Sequence, residues 1–524
     1  MNTITRRRQR YALAPLLVLL AALCVWAQQQ PPQQGAKPER IVRVILLQVN
    51  DVYRFTPSDR GLRGGLARVS TLRKRILERS PNTLLLMSGD SISPSVESLT
   101  YKGAQMIDAW NAIGLDYAVF GNHEFDFGPD VLKERMKESR FPWLGANVID
   151  KRTGKPFADT PPYVIREFEG VKVGIIGLVL PETKSTSRPG PDLEFLSPCE
   201  VARTLVPEMR SRGGANIVIG LTHLTMREDK ELARCADFDL IVGGHEHTLL
   251  ESLSGRTPIF KMTSDAREMA RIQLNIYAGS GKLESIDWEV IPVNSEVPDD
   301  PAFAPVVRKY EKLLKELDER VGRTDVPLDA RDDPSRSQET NIGSFIADAF
   351  RQQTGADVGI MNGGSIRADT IIDAGDLTRR DVLSILPFPN PVVKIEVTGA
   401  TLRAALEHGV SRSLEDRQPG RFPQVSGVRF TFDARRPVGS RLTEVSVNGQ
   451  PLDDRKTYTL ATTTFLAVEG GDEYKMLQNQ RFLIKPEQGE RAPEILRKAI
   501  AGVKSIAPRT DGRIKRLDQP AEEQ

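Results

Sequence analysis

Charge of one sign, cysteine and histidine are all in short supply in this chain. Lysine and arginine number 72 against 70 aspartate and glutamate, and without the four arginines of the N-terminal leader the balance is 68 against 70, a net of −2. Such neutrality argues against a nucleic-acid polymer or an anionic membrane surface as partner. Cysteine occurs three times. Beyond the leader only Cys199 and Cys235 remain, enough for one disulfide in an oxidising compartment but not enough to establish it. A chain of this length implies more than one core, most simply two domains of unequal size.

The N-terminus reads as an export signal. Arg6, Arg7, Arg8 and Arg10 form a basic start, Tyr11 to Trp26 an apolar stretch, and Val25-Trp26-Ala27 a small-residue cleavage site. The stretch is short for a membrane span, contains Pro15 and runs at once into Gln28-Gln29-Gln30-Pro31-Pro32. Leu23 before Cys24 fits a lipoprotein site poorly. The expectation is a signal peptide over 1–27, a disordered spacer over 28–39, and an exported protein, periplasmic or extracellular, with no stable membrane insertion after cleavage.

Histidine is rare, and its placement is informative. Of five, His123, His223, His245 and His247 each follow an apolar, strand-like run, while His408 lies on the helical stretch Leu402–His408 and is expected on its surface. Side chains placed just past strand ends converge in a crevice while the strands hold them rigid. Two more strand-like runs end in acids: Ile41–Val49 delivers Asn50-Asp51-Val52-Tyr53, and Thr83–Met87 delivers Ser88-Gly89-Asp90. Between these runs Leu66, Val69, Leu72, Ile76 and Leu77 recur at helical spacing. The hexapeptide Gly121-Asn122-His123-Glu124-Phe125-Asp126 brings a neutral oxygen donor, a titratable imidazole and a carboxylate that can orient it into one turn.

In order, Asp51, Asp90, Asn122-His123, His223 and His245-x-His247 resemble the pattern of the calcineurin-like metallophosphoesterases, and Gly121–Asp126 is similar to that of the 5′-nucleotidases. The resemblance implies two divalent metal ions (Mn, Zn, Co or Mg) with Asp90 as bridge, Asp51 and His247 on one ion, and Asn122, His223 and His245 on the other. It makes His123 the group that donates to the phosphoryl or leaving oxygen, and Asp126 the holder of its tautomer. One position departs from the pattern: Tyr53 stands where the family has His. Either its phenolate ligates, which favours a ferric ion, or the ring fills space beside a metal short of one ligand.

Downstream, Val306, Val307, Tyr310, Leu313, Leu314 and Leu317 mark a charged amphipathic helix from about 303 to 321. In 5′-nucleotidases a helix in this place joins two domains, so 40–295 is read as the catalytic domain, 296–324 as the linker helix, 325–515 as the substrate-binding domain and 516–524 as a tail. By the same resemblance Arg336, Asn362, Arg367 and Asn390 bind substrate, Phe388 and Phe465 clamp a nucleobase, and Asp472 binds the ribose hydroxyls. Ser365 and Pro389 replace family glycines, and Val468-Glu469 lengthens the last loop by one residue. The implied fold class is α/β (α+β), a four-layer metallophosphoesterase β-sandwich flanked by helices and followed by an α/β nucleotide-binding domain. The implied reaction is phosphate removal from nucleotides, with nucleotide sugars or 2′,3′-cyclic nucleotides as further substrates. Thiosulfate-ester hydrolysis is a weaker reading, because the aromatic clamp has no use there; a nucleoside-binding or adhesive surface protein with an impaired metal site rests on Tyr53 alone.

Overall fold

The computed structural model describes residues 39–414 and 420–518. The expected signal peptide, the expected spacer up to residue 38 and the last residues of the expected tail, from 519 on, lie outside the described residues. Among the described residues no helix is long and apolar enough to cross a membrane.

Two six-stranded sheets face each other in the first half of the chain. In the first, Ile41–Val49 is central: it runs parallel to Thr83–Met87, which runs parallel to Tyr117–Val119, and antiparallel to Glu268–Tyr277. In the second, Val171–Val179, Ile217–His223, Leu240–Gly243 and Thr257–Lys261 are neighbouring parallel strands. The nearly unbroken apolar sequence of Ile41–Val49 is explained by burial on both faces. Val42, Val44 and Leu46 enter the core between the sheets with Ile175, Ile219 and Val242. Ile45, Leu47 and Val49 point the other way, into the core they share with Leu66 and Val69 of the helix Leu66–Arg79 and Met106 and Trp110 of Ala104–Ile113. The second sheet carries Pro198–Ser211 and Met226–Cys235 on its outer side, so the layers are helix, sheet, sheet, helix. Cys199 and Cys235 form a disulfide between those two helices, with Cα atoms 5.9 Å apart.

The region expected as linker divides between the halves. Helix Ala304–Leu317 buries Val306, Tyr310 and Leu317, and Tyr310 packs on Phe55 and Tyr101 of the first half at ring distances of 5.8 and 4.7 Å. Strand Arg320–Thr324 pairs instead with Gly375–Thr378 of the second half. That half is built on a five-stranded sheet in the order Pro423–Ser426, Val358–Asn362, Thr457–Thr463, Val392–Thr398, Arg481–Ile484. Helix Asn341–Thr354 covers it, started by Thr340, whose hydroxyl accepts from Gly343 N, and stopped by Gly355 at φ 58°. Strand Ile514–Arg516 pairs with Val428–Phe432, and Asp518 accepts from Ala434 N, so the first residues of the expected tail are part of this half.

Candidate active site

Because the central strands of both sheets run parallel, their carboxyl ends meet at one edge of the sandwich, and the chemically marked residues lie there. Asp51, Asp90, His245 and His247 all have positive φ (52°, 60°, 88° and 55°), each in the left-handed turn that leaves its strand. Space is tight enough to dictate glycine. A Cβ at Gly121 would stand 2.2 Å from Asp90 Oδ1, and one at Gly89, itself at φ 85°, would stand 2.4 Å from His223 Nδ1.

A buried carboxylate assembles two of these turns. Glu124 accepts from the backbone N–H of Asp90, Ser91 and Ile92 at 2.9, 2.6 and 3.2 Å and from Gly121 N at 2.5 Å. Burial, with the charge of Asp90 nearby, pushes its pKa up to about 7. The turn bearing Asp90 and the turn bearing Asn122 and His123 are thereby one unit, closed further by His123 N donating to Asp90 Oδ1 at 2.7 Å. Lys261, fully buried, does the same for the Gly243–His247 turn through Gly244 O at 3.0 Å and the carboxylates of Asp229 and Glu246 at 2.9 and 2.5 Å.

The expected ligands converge. His223 Nε2 lies 3.1 Å from Asp90 Oδ2 and His247 Nε2 lies 3.1 Å from Asp51 Oδ1, while Asp51 Oδ2 accepts from Asn50 Nδ2 and His245 N at 2.8 and 2.9 Å. Ser88 O, 2.9 Å from His223 Nδ1, assigns the proton to that nitrogen and leaves Nε2 facing the site. Asn122 Oδ1 is buried without a hydrogen-bond partner, as a donor reserved for a cation would be. Electrostatics point the same way. Burial opposes ionisation of Asp51, yet His247 beside it holds its carboxyl far below the usual range. Burial opposes the charging of His223 and His247 as well, but Asp90 lifts His223 to about 10, and Asp51 and Asp332 lift His247 to about 9. His245, buried beside His223, is held neutral, its pKa driven well below the ordinary value. The cluster thus attracts positive charge strongly, and its oxygen and imidazole donors suit borderline divalent ions.

Tyr53 faces this cluster. Its hydroxyl is 3.2 Å from Asp51 Oδ1, 3.5 Å from Asp90 Oδ2 and 2.7 Å from His247 Nε2, and it accepts from Arg367 Nη2 at 2.9 Å. Burial, with Asp51 adjacent, raises its pKa well above 10.

Above the cluster opens a cavity of about 780 Å³. Asp90, Asn122, His123, Asp126, His245 and His247 line one side of it; Asp51, Tyr53 and His223 lie beneath. His123 Nδ1 and Asp126 Oδ2 are 2.8 Å apart, and Ser187 Oγ donates to the other Asp126 oxygen at 2.7 Å. All seven residues expected to bind substrate, Arg336, Asn362, Arg367, Phe388, Asn390, Phe465 and Asp472, line the same cavity from the second half. Asp472, at φ 50°, accepts from Asn362 Nδ2 at 2.7 Å. The ring of Phe388 also stacks on His123, 6.0 Å between centroids and 24° between planes. His408 is not the surface residue expected from helical spacing but half-buried, its Nε2 2.8 Å from Asp472 O and its ring edge-on to Tyr474.

Some contributors carried no signal in the sequence. Asp332 and Asp369 gather on His247, with Asp332 Oδ2 2.7 Å from His247 Nδ1 and 3.0 Å from Arg336 Nη2, and the three make a second acidic group beside the first. Ser187 and Arg188 come from the loop between the short helix Thr183–Thr186 and strand Leu193–Phe195.

Facing sheets with acids, Asn and His at adjoining strand ends define a metallophosphoesterase. Residues 46–249 match the calcineurin-like phosphoesterase family model and residues 320–479 the model of the 5′-nucleotidase C-terminal domain. The chain belongs to the 5′-nucleotidase family. It is 31% identical to the 5′-nucleotidase of Diplobatis ommata over 87% of this chain and 85% of that one. It is 30% identical to the trifunctional nucleotide phosphoesterase of Bacillus subtilis, matching over 87% of its own length but spanning only 34% of that protein. Among solved structures, a 5′-nucleotidase precursor from Thermus thermophilus superposes with a TM-score of 0.84 at 30% identity, covering 91% of this chain and all of that one. The protein is accordingly a metal-dependent phosphohydrolase, and a pair of divalent metal ions is its cofactor.

Proposed function

We propose that the protein is exported and hydrolyses nucleoside monophosphates to nucleoside and phosphate. One observation carries the reading: Asp90, Asn122, His123, His245 and His247 of the first half and Phe388, Phe465 and Asp472 of the second line a single cavity large enough for a nucleotide. When bound, the two metal ions supply Lewis acidity and an activated water. Asp51 and His247 would hold one ion, Asn122, His223 and His245 the other, and Asp90 would be shared between them. His123, its Nδ1–H accepted by the Asp126 carboxylate that Ser187 also holds, donates from Nε2–H in its imidazolium form to the phosphoryl or leaving oxygen. Arg336 and Arg367 offer planar guanidinium groups to the phosphate end. Phe388 and Phe465 stack on the base, and Asp472, acceptor-only when ionised, selects a sugar diol. A thiosulfate ester would leave these last three without a use. Phosphate release from AMP by protein loaded with Mn²⁺, Zn²⁺ or Co²⁺, measured beside p-nitrophenyl phosphate, tests the reading. Turnover of the aryl ester without AMP would overturn it.

A further inference from the structure

Arg188 belongs to the first half of the chain, yet its guanidinium is committed to the second. Its Nε and Nη2 donate to Glu469 Oε2 and Oε1 at 3.0 and 2.8 Å, and Nη2 also donates to Asn390 Oδ1 at 2.9 Å. The two-pronged contact with Glu469 fixes the plane of the guanidinium, and the second N–H of Nη2 is then aimed at the amide. Glu469 is part of the one-residue extension noted in the sequence, so that extension has a use: it supplies the carboxylate that holds Arg188.

The consequence falls on Asn390. A guanidinium has five N–H donors and no acceptor, so whatever it meets on an Asn must be the carbonyl oxygen. That settles which way round the amide stands. Asn390 is 7% exposed and lines the cavity, and among the described residues its Nδ2 has no hydrogen-bond partner. Its backbone is held as well, Asn390 O accepting from Ala492 N at 3.0 Å. The amide therefore offers two unused donors, and no freely turning carbonyl, beside Phe388.

We infer that Arg188 is a positioning residue for substrate recognition: held by Glu469, it orients Asn390 so that the amide donates to hydrogen-bond acceptors on the nucleobase, making base preference a joint product of the two halves. The inference rests on the reading of the cavity as a nucleotide site. Next to it in sequence, Ser187 holds Asp126 and through it His123. One dipeptide thus serves proton transfer with its first residue and base recognition with its second.

The experiment is a double-mutant cycle on the metal-loaded, full-length protein, with kcat and KM measured for AMP, GMP, CMP, UMP and p-nitrophenyl phosphate. Arg188→Ala should raise KM for nucleotides roughly threefold to tenfold, the worth of one oriented hydrogen bond, with kcat nearly unchanged and the spread of kcat/KM among the four bases narrowed. Asn390→Ala should give a similar loss, and the double variant no more than Asn390→Ala alone, because the arginine acts through the amide. Glu469→Gln, which keeps one acceptor for Arg188, should fall between wild type and Arg188→Ala. Additive losses, or an equal loss on the aryl ester, would overturn the inference; the latter would mean that Arg188 merely fastens the halves together. Wild-type protein that cleaves the aryl ester and no nucleotide would instead overturn the nucleotide reading, and this inference with it.

Discussion

The two ends of the cavity are built by opposite means. At the end proposed for the phosphate, Asp51, Asp90, His123, His223 and His247 are each less than a tenth exposed and each tied to a neighbour or to backbone. At the end proposed for the base, Phe388 is half-buried on a loop and Phe465 half-buried in the short helix Thr464–Ala467, Asp472 is held by a bond from Asn362, and Asn390 by one from Arg188. Buried charge tolerates no misplacement, since an unpaired ion in a dry site is heavily penalised and the penalty falls on every substrate alike. Stacking on an aromatic face is forgiving, because every base presents a π surface. The phosphate end should therefore govern whether reaction occurs at all, and the base end which molecules undergo it.

Removing the metal ions should have the largest effect. Chelation is expected to bring AMP and p-nitrophenyl phosphate hydrolysis to background together, and Mn²⁺, Zn²⁺ or Co²⁺ to restore both; loss confined to AMP would break the division between the ends. His123→Asn comes next, with kcat reduced roughly 10²–10⁴-fold on both substrates and metal content, read by elemental analysis, unchanged. If that variant purifies without metal, His123 is a ligand rather than a proton donor.

A smaller and more selective effect is expected at the aromatics. Phe465→Ala should lower kcat/KM for nucleotides by roughly 1–3 kcal/mol and spare the aryl phosphate. Phe388→Ala is a sharper instrument, because this ring also lies on His123. It should lose activity on both substrates, more on AMP, and indistinguishable losses from the two variants would show that the contact with His123 has no consequence for chemistry.

Tyr53→Phe should have the least effect. Burial and the neighbouring Asp51 raise the pKa of this phenol above its ordinary value of about 10, which opposes its ionisation; the protein is expected to be colourless and the variant to retain most of its activity. A visible charge-transfer band that disappears, with iron, in Tyr53→Phe would establish phenolate ligation instead.

How much of this was legible beforehand follows from residue chemistry. His, Asp and Asn placed after apolar runs are marked twice, by type and by position, and so their convergence at one edge of the sandwich could be read from the chain. Arg188 and Glu469 could not: they are common surface residue types, 281 positions apart, and only the docking of the two halves gives their contact meaning. Lys261 and Asp332 escaped for a similar reason, as charged residues whose burial is invisible in sequence. His408 shows the limit of periodicity, since helical spacing gives the face of a residue but not that the Asp472 loop covers it.

The helix Ala304–Leu317 bears on how the protein can be divided. Lying between two recognisable units, it invites a boundary ahead of it, but Val306 and Tyr310 complete the core around Phe55. A catalytic fragment ending before Ala304 would uncover an apolar face and be prone to self-association. One ending between Leu317 and Arg320 keeps that face covered, and leaves Arg320–Thr324 free to pair with Gly375–Thr378 in the complementary fragment. The natural seam of the chain is thus a few residues wide and lies after the helix.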